Sequence, residues 1–218
     1  MTTKVIVVSN TKGGAGKSTT AINLAVQIVQ AGDGPVCMMD LDPQGSTAKW
    51  WNVRPTEDIA YANVDLNNLA SQVHELGAKG VKYLIIDTPP LMVDNVQLAI
   101  DVADLVIVPT RPSPMDLMSL GPTVEMCRAA DKKPLFVING AAHRARITAD
   151  TAIALSEHGR VCPVVVYART DYATGIGAGL SMQEIAPRSK GSDEVAELWL
   201  YAKKLLSPAA SKQKKVIA

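Results

Sequence analysis

The amino-acid sequence predicts an α/β fold in which a doubly wound, mostly parallel sheet carries helices on both faces. Short aliphatic runs of strand length alternate with longer stretches of helical periodicity. These runs lack polar alternation, so both faces of each strand are expected to be buried, as in a parallel sheet between helices. The predicted strands are Val5 to Val8, Val36 to Met39, Tyr83 to Ile86, Leu105 to Val108, Leu135 to Ile138 and Val164 to Val166.

The stretches between the strands predict the helices, which right-handed crossovers would distribute over the two faces of the sheet. The predicted helices are Ser18 to Gln30, Leu66 to Leu76, Met115 to Ala130, Thr148 to Glu157 and Ser192 to Leu206. A chain of 218 residues fits one domain, predicted as 1–206. The remaining residues, 207–218, are small, polar and basic, and are expected to form a disordered tail.

The composition excludes several classes of protein. Hydrophobic residues make up 47% of the chain and charged residues 20%, an ordinary balance for a globular domain. No apolar run reaches the roughly 18 residues that a membrane span needs, and the first residues lack the features of a secretion signal. Cys37, Cys127 and Cys162 are far apart, which predicts reduced, buried thiols of a cytoplasmic protein.

The loop after the first strand predicts a phosphate-binding site. It reads Thr11-Lys12-Gly13-Gly14-Ala15-Gly16-Lys17-Ser18-Thr19 and opens the first predicted helix. Its glycines let backbone N–H groups converge on phosphate oxygens, and the helix N-terminus adds partial positive charge. Lys17 should reach the β- and γ-phosphates, and the Ser18 hydroxyl should bind Mg²⁺. The segment from Lys12 to Thr19 is therefore the predicted ATP-binding loop of a P-loop NTPase.

Two acidic loops follow the second and third predicted strands, at the same edge of the sheet. The first reads Asp40-Leu41-Asp42-Pro43-Gln44-Gly45-Ser46 and the second Asp87-Thr88-Pro89-Pro90. Hydrophobic burial does not explain paired aspartates there, whereas Mg²⁺ and a nucleophilic water do. Asp87 ends an apolar strand, as in the Walker B arrangement, where the carboxylate holds Mg²⁺ through water. Two other roles stay open: Asp42 as a helix cap and Asp40 as a residue that holds the loop.

The phosphate loop departs from the standard pattern, because Thr11 stands where a glycine would begin it. The arrangement Lys-Gly-Gly-x-Gly-Lys-Ser resembles the deviant loop of the ParA/MinD family of P-loop ATPases. The resemblance covers approximately residues 4–206 and is strongest at 12–19, 40–44, 84–90 and 106–117. It implies that Lys12 reaches across a dimer interface to the partner's nucleotide, where a cation stabilises developing charge. It also implies that Asp42 orients the attacking water near the metal and that Asn139, equally a common turn residue, contacts adenine.

The resemblance further implies a homodimer that forms on ATP binding and uses the nucleotide as a switch. MinD-type members bind membranes through an amphipathic tail, but the tail here offers only Val216 and Ile217 after three lysines, so stable membrane binding is not expected. ParA-type members bind non-specific DNA, and residues 188–218 carry a net charge of +4 in a chain of net charge +1. The DNA-binding candidates are Arg169, Arg188, Lys190, Lys203 and Lys204, each of which is otherwise an ordinary solvated charge.

Because the chain begins at its first strand, it resembles the short ParA type without an operator-reading domain. The resemblance implies a nucleoid-associated partitioning ATPase whose hydrolysis a ParB-like, centromere-binding or adaptor protein stimulates. The cargo would be a plasmid, a chromosome origin, or a protein body such as a carboxysome or chemotaxis cluster. Two alternatives share the fold. A metal-cluster carrier or nitrogenase-iron-protein-like reductase needs cysteine pairs that this chain lacks, and Lys12 and Asp42 disfavour a synthetase such as dethiobiotin synthetase.

Overall fold

The computed structural model describes residues 2–90 and 93–207. Apart from Ser207, the predicted tail lies outside the described residues. The described strands form one sheet in which every neighbouring pair is parallel. Helices cover both faces of this sheet. The predicted α/β, doubly wound architecture is therefore confirmed.

The sheet has the order β3-β2-β4-β1-β5-β6-β7, and β8 pairs with the end of β6. All six predicted strands are present in the structure, with ends shifted by a few residues, whereas β3 and β7 were not predicted. Each of these two has only two residues, which is too short for a periodic pattern. The strands are β1 (Lys4–Val8), β2 (Val36–Asp40), β3 (Ala60–Tyr61), β4 (Tyr83–Asp87), β5 (Leu105–Thr110), β6 (Leu135–Ala141), β7 (Arg160–Val161) and β8 (Val166–Tyr167).

The five predicted helices are found at their expected places, but the prediction of one continuous helix over 115–130 is wrong. Ser119 caps a first short helix, and Pro122 lies in the first turn of a second one. Proline has no N–H to continue a helix but fits its start, which explains the break. The helices are α1 (Lys17–Gln30), α2 (Ser46–Asn52), a 3₁₀ turn (Leu66–Asn68), α3 (Leu69–Ala78), α4 (Val93–Val102), α5 (Pro114–Met118), α6 (Gly121–Ala129), α7 (Ile147–Ser156), α8 (Thr170–Gly177), α9 (Met182–Ile185) and α10 (Lys190–Leu206).

The core consists of two apolar layers, one on each face of the sheet. Strand β1 contributes Ile6 and Val8 to one layer and Val5 and Val7 to the other, as the two-residue period of a strand requires. The first layer contains α1 and α10, and the second contains α3, α4 and α6. This packing fixes the sheet, so the loops at the carboxyl ends of its central strands are held close together.

The three cysteines are free and buried, as the sequence predicts. Burial raises the pKa of each thiol to about 11, because the apolar surroundings disfavour the thiolate. Within residues 2–90 and 93–207, no helix has the length and apolar character to cross a bilayer.

Candidate nucleotide-binding site

A cleft of about 400 Å³ opens at the carboxyl edge of the sheet, where the loops after β1, β2, β4 and β5 meet. Because these four strands are neighbours, loops distant in sequence lie side by side. The structure thus brings most of the predicted nucleotide residues together. The cleft is lined by Gly13, Gly14, Gly16, Lys17, Ser18, Thr19, Asp42, Gln44, Ser46, Pro90 and Arg111.

The phosphate loop needs glycine at two positions. Gly14 has a φ of 74° and Gly16 a φ of 96°, a region that favours glycine. A Cβ on Gly16 would also lie 2.0 Å from Nδ2 of Asn139. That amide donates a hydrogen bond of 2.9 Å to the carbonyl oxygen of Ala15. Asn139, near the end of β6, therefore stabilises the phosphate loop. Its predicted contact with adenine stays a prediction.

Lys17 is the buried cation of the cleft. Its residue is only 7% exposed, and its ammonium donates a 3.1 Å hydrogen bond to the carbonyl oxygen of Lys12. Burial lowers the pKa of Lys17, while the charges of Asp87 and Asp42 act in the opposite direction. Lys17 therefore lies between the loop backbone and two carboxylates, in the position that the phosphate motif predicts for a contact with phosphate oxygens.

Asp87 ends β4 and is fully buried. Its Oδ2 accepts a 2.7 Å hydrogen bond from the Thr47 hydroxyl, while its Oδ1 has no hydrogen-bond partner among the described residues. Burial raises the pKa of Asp87 to about 7, and the hydroxyls of Ser18 and Thr47 oppose this rise. A buried carboxylate oxygen without a partner needs a ligand, since an unsatisfied polar group costs free energy.

The residues around Asp87 fit Mg²⁺. Ser18 and Asp87 together offer a hydroxyl and a carboxylate, the hard oxygen donors that Mg²⁺ prefers. In the part of the chain that the structure describes, no group of three His, Cys, Asp or Glu side chains could hold a metal alone. Mg²⁺ commonly binds through one or two carboxylates together with substrate phosphates and waters, so this donor set is sufficient.

The two aspartates of the β2–α2 loop have different environments. Asp40 accepts backbone hydrogen bonds from Asp42 at 2.9 Å, from Thr47 at 2.9 Å and from Ala48 at 3.2 Å. It holds the loop, which is the alternative role that the sequence left open, and burial raises its pKa. Asp42 accepts a hydrogen bond from the Gln44 amide and lines the cleft, while Gly45 is the residue that caps α2. Asp42 is therefore free of the capping role.

Lys12 lies outside the lining of the cleft. Its ammonium forms a 2.6 Å ion pair with Asp116 of α5, in the same chain. Thr47 was not predicted from the sequence because it forms part of no recognisable motif. Asp116 lies inside the segment of strong resemblance, 106–117, but its pairing with the distant Lys12 was not predicted. Arg111 was also missed, although its place directly after β5, inside the segment of strong resemblance, was a usable signal.

The predicted DNA-binding residues divide into two groups. Arg169 forms two hydrogen bonds of 2.6 Å with Glu194, and Lys203 pairs with Asp33. Arg188, Lys190 and Lys204 are exposed and, among the described residues, have no ion pair. The five residues therefore do not form one set of unpaired charges.

Comparisons with known proteins agree with this geometry. A family model described as an AAA domain matches residues 3–77. A relative named "Maintenance of carboxysome distribution protein A" from Gloeobacter kilaueensis is 40% identical over 56% of this chain and 55% of its own length. A protein of the same name from Halothiobacillus neapolitanus is 28% identical over 88% of this chain and 93% of its own length. "Protein ParA" from Rhizobium radiobacter is 36% identical over 51% of this chain and 50% of its own length.

The family model includes the phosphate loop, and the Halothiobacillus relative matches 88% of this chain. In sequence and in fold, the chain is similar to ParA/MinD-type P-loop ATPases. The structure of the "MinC:MinD cell division protein complex" from Aquifex aeolicus superposes with a TM-score of 0.78 at 14% identity, over 92% of this chain and 96% of that one, which shows the shared fold. The matched region covers about half the length of the Gloeobacter and Rhizobium relatives and nearly all of the Halothiobacillus one.

Proposed function

We propose that this protein is a ParA/MinD-type ATPase that dimerises on ATP, binds non-specific DNA in that state, and positions a cargo with the help of a partner protein. The observation that carries the proposal is the cleft of about 400 Å³ at the carboxyl edge of the sheet. There the phosphate loop and the buried Lys17 lie close to Asp87, whose Oδ1 has no hydrogen-bond partner in the described part of the chain. Such a site can bind a triphosphate and the metal that accompanies it.

Each residue has a defined part in the proposed hydrolysis. The amides of residues 13–19 and the Lys17 ammonium bind the phosphates, and Ser18 with Asp87, the latter through water, would hold Mg²⁺. When bound, Mg²⁺ neutralises charge on the phosphate oxygens. Asp42 orients the attacking water, and Lys12 of the partner subunit stabilises the charge that develops on the transferred group. Asn139 is the proposed adenine contact, from its position directly behind the loop.

DNA binding depends on cations that no carboxylate neutralises. Arg188, Lys190 and Lys204 are exposed and unpaired among the described residues, so they are the stronger candidates for phosphate contacts. Arg169 and Lys203, also proposed, would have to exchange a carboxylate for a DNA phosphate. Contacts of this kind are independent of base sequence and weaken steeply as salt increases. The protein would therefore associate with the nucleoid of its host and not with one operator.

We propose a protein body of the carboxysome type as the cargo, because two relatives are named for carboxysome distribution. The partner would then be a small adaptor on that body. Plasmid or chromosome partition with a ParB-like partner is the second candidate, which the ParA relative from Rhizobium radiobacter supports. The cysteines disfavour a metal-cluster carrier, since each is buried and burial raises the pKa of its thiol to about 11.

The central experiment measures DNA affinity with ATP and with ADP, in Mg²⁺, over a series of salt concentrations. We expect tight binding only with ATP, and a steep loss of affinity with salt. The Asp42→Ala protein should remain bound to DNA with ATP, because it retains the nucleotide without hydrolysing it. Equal affinity for DNA in both nucleotide states would refute the switch. Deletion of the gene distinguishes the two cargoes. It should scatter carboxysomes if the cargo is a carboxysome-type body, and it should cause plasmid loss if the cargo is a plasmid.

A further inference from the structure

We infer that Asp116 is a positioning residue that holds the Lys12 ammonium within its own protomer until a second ATP-bound copy takes it up. This inference rests on the proposed function, in which Lys12 acts on the partner subunit's nucleotide. The protein would thus carry an internal competitor for dimerisation. Breaking the Lys12–Asp116 ion pair would be a step that every active dimer has to complete.

The ion pair is short and is built into the fold. Nζ of Lys12 lies 2.6 Å from Oδ2 of Asp116, whose side chain is only 5% exposed. The same Oδ2 accepts a hydrogen bond from the Ser113 hydroxyl. Ser113 is the N-cap of α5, and its hydroxyl oxygen accepts a 3.1 Å hydrogen bond from the Asp116 amide. The cap and the first turn of α5 therefore fix the carboxylate toward the phosphate loop.

The second carboxylate oxygen makes the ion pair hard to break without a replacement. Oδ1 of Asp116 is buried and has no hydrogen-bond partner among the described residues. Within the described residues, Lys12 is also the only cation paired with this carboxylate. Taking Lys12 away leaves the buried Asp116 carboxylate without a countercharge, which is unfavourable. The release of Lys12 therefore needs a compensating interaction, and the dimer interface with its nucleotide can provide one.

Nucleotide binding is connected to this ion pair through the backbone of the phosphate loop. The Lys17 ammonium donates to the carbonyl oxygen of Lys12 at 3.1 Å. Thr11, the preceding residue, donates from its hydroxyl to Ser119 O at 2.9 Å and from its amide to Thr123 Oγ1 at 3.1 Å. The segment that carries Lys12 is thus tied to α5 and α6. A triphosphate that draws Lys17 toward its oxygens removes one of the hydrogen bonds that hold the Lys12 segment in place.

The test compares dimerisation with and without the Asp116 carboxylate. Both proteins carry Asp42→Ala, so that ATP is retained, and the dimer dissociation constant is measured by analytical ultracentrifugation with ATP and Mg²⁺. We expect Asp116→Asn to tighten the ATP dimer by about tenfold, the factor expected when one charge-assisted hydrogen bond no longer has to be broken. With ADP both proteins should remain monomeric.

A matched control is Asp104→Asn. It removes an Asp–Lys ion pair of 2.8 Å with Lys4, at the opposite edge of the sheet from the cleft. This control should leave the dimer dissociation constant unchanged. A dimer that is unchanged or weaker in Asp116→Asn, with thermal unfolding equal to that of its parent, would overturn the inference.

A second measurement needs no variant and no nucleotide. Acylation of lysine amines in the nucleotide-free wild-type protein, followed by mass spectrometry, reports how well each ammonium is held. We expect Lys12 to react about tenfold more slowly than Lys190, which is exposed and unpaired among the described residues, because a charge-assisted hydrogen bond holds only Lys12. Equal rates would overturn the inference even if Asp116→Asn failed to fold. Protection of Lys12 in a protein that bound no ATP would show that the proposed function had failed and that the Lys12–Asp116 ion pair itself was present.

Discussion

The nucleotide cleft and the basic residues near α10 differ in how their charges are satisfied. In the cleft, the buried Lys17 ammonium donates a hydrogen bond to a backbone carbonyl oxygen. One carboxylate oxygen of Asp87 and one of Asp116 have no hydrogen-bond partner among the described residues. Near α10, Arg169 donates two hydrogen bonds to Glu194, and Lys203 is paired with Asp33.

This difference in hydrogen bonding distinguishes residues that can bind a ligand from residues that stabilise the fold. Buried polar groups in proteins normally find a hydrogen-bond partner, so an open position in a cleft indicates a missing ligand. Near α10, Arg169 and Lys203 would have to give up a carboxylate partner before they could bind a DNA phosphate. The comparison therefore supports the cleft as the binding site and ranks the DNA candidates by their lack of a carboxylate partner.

The largest expected effect is at Lys17. Lys17→Ala removes the buried cation of the cleft and should weaken ATP binding by roughly 100-fold or more, since hydrogen bonds to charged groups are strong where water is excluded. Displacement of a fluorescent nucleotide measures the change. Lys79→Ala, an exposed lysine beyond α3, is the matched control and should bind ATP as the wild type does.

At Asp87 we expect an unusual dependence of stability on pH. Burial raises its pKa from 3.8 to about 7, so the folded state binds this proton more tightly than the unfolded state does. The nucleotide-free protein should therefore lose stability as pH rises from about 4 to 7, by an amount on the order of a few kcal/mol. Thermal unfolding measured across this range should show a flatter profile for Asp87→Asn. An equally steep fall in the variant would assign the effect to other groups.

Arg169 should prove mainly structural. Arg169→Ala removes the ion-pair partner of the largely buried Glu194 and leaves its Oε2 with the Tyr167 amide, which should lower the free energy of unfolding by about 1–3 kcal/mol. Urea denaturation measures this change. The salt dependence of DNA binding by the ATP dimer should change little. If stability were unchanged and DNA binding were abolished, Arg169 would belong to the DNA surface and the ranking of candidates would be wrong.

Lys190 should give the smallest effect on the fold and a specific effect on DNA binding. Lys190→Ala removes an exposed cation, so its stability should stay within about 0.5 kcal/mol of the wild type. The slope of log affinity against log salt should fall by about one for each DNA phosphate that the variant no longer binds. A slope equal to that of the wild type would remove Lys190 from the proposed surface.

The residues of the cleft and the main elements of the fold could be predicted from the sequence. The glycines, Lys17, Asp42 and Asp87 could be recognised because each motif is local and lies at the end of an apolar strand. The main strands followed from continuous apolarity, whereas β3 and β7 were too short to produce a pattern. The break between α5 and α6 follows from Pro122, which lies within an otherwise periodic stretch that predicts one continuous helix.

The missed interactions are those between residues far apart in the chain. Lys203 pairs with Asp33 across 170 positions and Lys12 with Asp116 across 104. No periodicity encodes such a pairing, because it depends on which helices the folded sheet brings together. For the same reason the sequence could count basic residues near the C-terminus, but it could not distinguish paired cations from unpaired ones.

The other roles assigned to these residues depend on the binding of a nucleotide in the cleft. Titration calorimetry of the wild-type protein with a non-hydrolysable ATP analogue and Mg²⁺ tests it in one step. We predict saturable binding of one nucleotide per chain with a micromolar dissociation constant, weakened when Mg²⁺ is chelated. The absence of any binding heat for either the ATP analogue or ADP, in a protein that unfolds cooperatively, would contradict the account.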